Sequence, residues 1–150
     1  MNYEKLLRER LIKKQSPDFK QIEYQLKRAQ KDLQTAESNL SIDLTWAFTI
    51  AYHAMIRASK AFMFSKGYLP TTKQSHKTIV EFTKLTIGEK YENLVSRFNR
   101  MRRRRHDFIY DTQNHITLHE AKLSIKTANQ LINKIITLVR NENPEIDLFR

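Results

Sequence analysis

The stretch SIDLTWAFTIAYHAMIRASKAFMFSKG, residues 41–67, decides the fold. Trp46, Phe48, Ile50, Ala51, Tyr52, Ala54, Met55, Ile56, Ala58, Ala61, Phe62, Met63 and Phe64 surround a helical axis, leaving Thr45, Thr49, His53, Arg57 and Lys60 as a narrow polar stripe. A helix that is apolar nearly all round is stable only when neighbours cover it, so this one is the buried centre of a larger structure. Ser41 to Asp43 supplies the start, and Gly67 supplies the left-handed residue that ends it after Lys66.

The flanks read as further helices. Upstream, Phe19, Ile22, Tyr24, Leu26, Ala29, Leu33 and Ala36 recur mainly at three and four residues, out to about Asn39. Ser16-Pro17-Asp18 opens that helix, with Ser16 as cap, Pro17 at the first helical position and Asp18 against the dipole. A short helix from Tyr3 to Lys14 precedes it. Downstream, Tyr68 to Gln74 is a loop containing Pro70, and Ser75 or His76 begins a short helix that Gly88 breaks. A longer helix spans Glu89 to Tyr110. Thr117-Leu118-His119-Glu120 is a capping box, and it opens a last helix with Leu118, Ala121, Ile125, Ala128, Ile132, Ile135 and Val139 on one seam. Order is expected to end at Pro144.

Composition agrees. A chain of 150 residues with 40% hydrophobic content fits one domain, residues 1–150, whose core spans about 18–139. Two glycines and three prolines are too few for the frequent turns of an all-β protein, so the expected class is all-α, an up-and-down bundle of four to five helices. Cysteine is absent, which excludes disulfides and thiolate metal sites. The histidines form no helical HxxxH pair with a carboxylate between them, so no metal and no cofactor are expected. No apolar run is long enough to span a membrane, and MNYEKLLRER lacks a signal-peptide core; the expectation is a cytoplasmic protein with no membrane partner.

The charge narrows function. A formal net charge of +11 points to acidic partners, with nucleic acid first. Much of it is concentrated in Arg97-Phe-Asn-Arg-Met-Arg-Arg-Arg-Arg-His106-Asp-Phe-Ile-Tyr110. At ~100° per residue Tyr91, Leu94, Val95, Phe98, Met101 and Ile109 share one side, so the segment is an amphipathic helix. Arg102 and Arg105 fall on or near that apolar side and need either a carboxylate or a bound phosphate, because an isolated buried charge is very costly. Asn99, Arg103, His106 and Tyr110 form a stripe beside it. Guanidinium groups match phosphate oxygens in pairs, and an imidazole can move the proton of a ribose 2′-hydroxyl near neutral pH. Together they can support metal-free cleavage of RNA. His106 is the candidate proton-transfer group; Arg97, Arg102, Arg103, Arg104 and Tyr110 are candidates for binding nucleic acid. His53 and Arg57, one turn apart, read as a polar seam.

Three pieces of the chain, AYHAMIRASKA followed by Lys66-Gly67-Tyr68, the Ser75-His76-Lys77 helix start, and the basic helix with His106, resemble the HEPN domains. The resemblance covers about Asp18 to Val139. It implies a helical bundle that dimerises so that two copies of a motif, Arg, four to six residues, then His, face each other in a basic cleft. It also implies metal-independent RNase activity in many members, often as toxins paired with a minimal nucleotidyltransferase antitoxin. Two registers of the motif fit here, and the resemblance implies Arg100, Arg105 and His106 as the catalytic residues. Arg100 to His106 has the spacing but carries Met101 after the arginine; Arg105-His106 has the polar start but places the second position near Tyr110. A catalytically silent module that binds nucleic acid, nucleotide or a nucleotidyltransferase through the same cleft is the alternative function.

Overall fold

The computed structural model describes residues 2–110 and 115–144, with the side chains of 109 and 110 excepted. The elements run α1 (Glu4–Arg8), β1 (Ile12–Lys14), α2 (Phe19–Ser38), a 3-10 turn (Asn39–Ser41), α3 (Leu44–Ser65), β2 (Tyr68–Pro70), α4 (Ser75–Ile87), a second 3-10 turn (Glu89–Tyr91), α5 (Glu92–Tyr110) and α6 (Leu118–Glu142). The fold is all-α with one small two-stranded ribbon.

Helix α3 is the centre, as its sequence requires. Phe48, Tyr52, Met55, Phe62 and Met63 are buried, interspersed with Ala47, Ala51, Ala54, Ala58 and Ala61. The alanines let α2 and α6 approach closely, with Ala29, Ala36, Ala121 and Ala128 answering from the other side. On α2 the buried residues are Ile22, Leu26, Ala29, Leu33 and Ala36, the spacing of three and four that a seam needs. Trp46 departs from the expected apolar girdle. It lies in the first turn of α3 and is 54% exposed.

Cross-helix contacts fix the directions. Arg104 of α5 meets Glu120 of α6 and Arg97 meets Gln130, so these two helices are antiparallel. Phe48 near the start of α3 meets Phe108 near the end of α5, while Lys66 just past α3 pairs with Glu142 at the end of α6. Thus α2, α3, α5 and α6 alternate appropriately around the core. Helix α4 runs in the same sense as α3, with His76 at its start beside Tyr52 and Phe82 beside Tyr68 beyond α3's end. The ribbon and the turn after it carry the chain back to the middle of α3, and this places His76 there.

The N-terminal segment differs from its local reading. The first helix ends at Arg8, Arg10 adopts a left-handed φ of 57°, and residues 12–14 pair antiparallel with residues 68–70 in the register Ile12↔Pro70, Lys13↔Leu69 and Lys14↔Tyr68. Burial of Ile12 at 3% exposure and the ladder with a distant strand outweigh local helix preference. The same pairing makes residues 68–70 a strand where the sequence suggested a loop. Helix α2 is capped by Asp18, whose Oδ1 accepts from the amides of Lys20 (3.1 Å) and Gln21 (3.2 Å), so Ser16 and Pro17 precede the helix. Thr117 caps α6 by accepting from the Glu120 amide at 3.1 Å, while the Glu120 carboxylate turns instead to Arg104. Gly67 (φ 88°) and Gly88 (φ 102°) take the positive φ expected of them.

Candidate nucleic-acid interface

Leu94, Val95, Phe98 and Met101 anchor α5 in the core. The arginines between them are thereby divided into an outer and an inner group. On the outer side Arg100, Arg103 and His106 are exposed. A groove of about 360 Å³ lies between α5 and α6, lined by Phe48 and Met101 and by four arginines, Arg97, Arg100, Arg103 and Arg104, against two carboxylates, Asp107 and Glu120. Arg97 donates through Nη2 to Gln130 Oε1 at 3.0 Å, and its inaccessible Nε has no hydrogen-bond partner among the described residues.

Arg104 has a structural engagement. Its Nε and Nη2 donate to the two carboxylate oxygens of Glu120 at 2.8 and 3.2 Å, Nη2 also reaches the His115 carbonyl at 3.0 Å, and the guanidinium carbon lies 5.0 Å from the centre of the Phe108 ring. This geometry fastens the end of α5 to the start of α6.

The inner group meets residues that the sequence kept apart. Arg102 and Arg105 are half-buried, as their place beside the apolar side demands. Arg102 donates through Nε to Asn99 Oδ1 at 3.0 Å. The Arg105 guanidinium carbon lies 5.9 Å from the centre of the Tyr52 ring, and its inaccessible Nε has no hydrogen-bond partner among the described residues. Tyr52 is wholly buried and shares a 2.9 Å hydrogen bond with His76 Nδ1. The His53 ring stands edge-on to the His76 ring, 6.1 Å between centres at 80°. Three helices therefore contribute to one cluster: α3 with Tyr52 and His53, α4 with His76, and α5 with Arg102 and Arg105.

Its electrostatics follow from that crowding. Burial, then Arg105, His76 and Arg57, lower the His53 pKa against the opposing pull of Asp32. Burial, then Arg105, Arg102 and Lys60, lower that of His76. Burial holds the Tyr52 hydroxyl protonated well above the ordinary phenol range, despite Arg105 and Arg102. At neutral pH both imidazoles are consequently uncharged.

Among the sequence candidates, the structure thus places Arg100, Arg103 and His106 on the open face of α5 and Arg102 and Arg105 on its inner edge. The Tyr110 side chain lies outside the described residues. Sequence reasoning did not connect Tyr52, His53 and His76 to the arginines. The available signals were a polar stripe on α3 and a histidine at the start of α4, and neither specifies a neighbour.

An all-α bundle whose penultimate long helix carries an arginine cluster beside a tyrosine and histidine pair makes this a basic helical domain. The family model described as the HEPN domain matches residues 22–140, and the chain belongs to that family. No curated protein and no solved structure matches it. Among the described residues, no helix is long and apolar enough to cross a membrane.

Proposed function

We propose that this HEPN protein is a metal-independent, RNase-type endoribonuclease that engages RNA on the α5 surface as a homodimer. The observation that carries the reading is the concentration of Arg97, Arg100, Arg103 and Arg104 around one groove that Phe48 and Met101 also line. Guanidinium groups suit phosphates, and the apolar lining suits an apolar or aromatic moiety between them. His106 is the proton-transfer group, with Arg100 and Arg105 stabilising the charge that develops on phosphorus. On one helix Arg100 and His106 lie about 120° apart and ~9 Å along the axis, so a second α5 related by a two-fold axis is the natural way to complete the centre. A minimal nucleotidyltransferase antitoxin is the partner that the family suggests.

The second reading is a silent module that binds nucleic acid, nucleotide or a nucleotidyltransferase. The place of Arg105 favours it: the guanidinium carbon lies 5.9 Å from the Tyr52 ring on the inner edge of α5, whereas His106 is exposed. Incubating purified protein with single-stranded and structured RNA in EDTA decides between them. Cleavage that disappears in His106→Ala supports the nuclease; binding without cleavage supports the silent module.

A further inference from the structure

A second basic surface lies along the inner edge of α5, where it meets α3 and α4. We infer that His53, His76 and Arg105, with Lys60 and Arg102 beside them, form a binding site for a phosphate monoester or diester group. The inference rests in part on the proposed function, with which it shares Arg105, and goes beyond it in His53 of α3 and His76 of α4.

The charge balance is the first argument. The charged side chains acting on the two imidazoles are Arg105, Arg102, Arg57 and Lys60, with Asp32 as the opposing carboxylate at His53. Asp32 is itself paired with Arg28 at 3.2 Å and Arg57 at 3.3 Å. The carboxylate therefore answers other cations, leaving Arg105 and Arg102 without an acidic partner among the described residues. Half-buried guanidiniums without a counter-ion are stabilised when an anion joins them.

The second argument is geometric. Tyr52 fixes His76 through Nδ1, so the other ring nitrogen, Nε2, is available to a ligand, and His53 stands edge-on beside it. The Arg105 guanidinium, whose carbon lies 5.9 Å from the centre of the Tyr52 ring, brings its positive charge to the same tyrosine. From His53 the surface continues into a cavity of about 500 Å³ between α2 and α3, lined by Gln21, Gln25, Arg57 and Lys60 with Leu69. That space can receive the remainder of a ligand whose phosphate sits on the imidazoles. Phosphate binding raises the proton affinity of both rings, so a diester, whose own charge is constant near neutral pH, binds more tightly as the pH falls.

The test observes the imidazoles directly. Nitrogen-15 spectra of the histidine side chains are recorded while inorganic phosphate, uridine 5′-monophosphate or a short single-stranded RNA without terminal phosphates is added. His115 and His119 serve as internal references. The expected result is saturable change at His53 and His76, for the oligonucleotide at least threefold tighter at about pH 6 than at about pH 7.5, and weakened about tenfold in His76→Gln. A response to uridine 5′-monophosphate alone assigns a nucleotide; a response to the unphosphorylated oligonucleotide assigns an RNA backbone. His53→Gln tests the same point if His76→Gln does not fold. Changes confined to the other histidines, or phosphate affinity unaltered in both folded variants, would overturn the site. Loss of RNA cleavage with the response of His53 and His76 retained removes the nuclease reading and leaves this site standing.

Discussion

Arg104 and Glu120 form a two-point ion pair, Nε to Oε2 at 2.8 Å and Nη2 to Oε1 at 3.2 Å, across the junction of α5 and α6. The arginine comes from the most basic run of the chain, yet its contacts make it a fastener between two helices. Both side chains keep partial solvent access, so the pair stabilises modestly. Glu120→Gln should cost about 1 kcal/mol and lower the melting temperature by roughly 2–4 °C. Thermal melts of the two single variants and the double variant check this, and full additivity would deny the coupling.

His106→Ala should reduce RNA cleavage by ~10²- to 10⁴-fold, and Arg100→Ala by a comparable factor, with the far-ultraviolet circular dichroism unchanged. The exposed positions of both residues on α5 support retention of the fold. Tyr110→Phe separates the two registers. A small effect fits Arg100 to His106, whereas a loss as large as that of His106→Ala fits the register beginning at Arg105.

RNA affinity should fall steeply with salt, with a logarithmic slope of about −0.7 for each phosphate contact on a single strand. Arg103→Ala and Arg100→Ala should each make the slope shallower by about that amount. Fluorescence anisotropy between ~50 and ~200 mM salt measures it; affinity indifferent to salt would remove the α5 surface as a phosphate-binding face.

The pH dependence of stability should report His53 and His76. Both have folded-state pKa values below the ordinary 6.5, so their contribution is fully present above that value. It is lost as the pH falls through the lowered folded-state values, because the unfolded chain then binds more protons. Urea unfolding at about pH 7.5 and about pH 5 should show this decline, and His76→Gln should flatten it. Tyr52→Phe should cost about 1 kcal/mol by leaving His76 Nδ1 without its partner.

Light scattering at micromolar concentration should give twice the mass of one chain, as a two-fold completed cleft requires. A single-chain mass together with undiminished RNA cleavage would place all catalytic groups within one protomer.

The sequence by itself determined the elements that depend on neighbours along the chain. The apolar girdle of residues 44–65 made α3 central, and the three-and-four spacing on α2 and α6 produced their seams. Gly67 and Gly88 marked stops, and the alternation of arginines with Phe98 and Met101 made α5 a half-embedded basic helix. These features were legible because helical periodicity and end capping act over a few residues. Tertiary structure decided what distant faces meet. Residues 12–14 became a strand only by pairing with residues 68–70, and that ribbon returned the chain so that His76 reached Tyr52. His53, a polar-stripe residue by its own sequence, became part of a cationic cluster only when α4 and α5 packed beside α3. The local pattern specifies which side of each helix is apolar, whereas the neighbour that covers its edge depends on direction and register between helices, set by packing of the whole core.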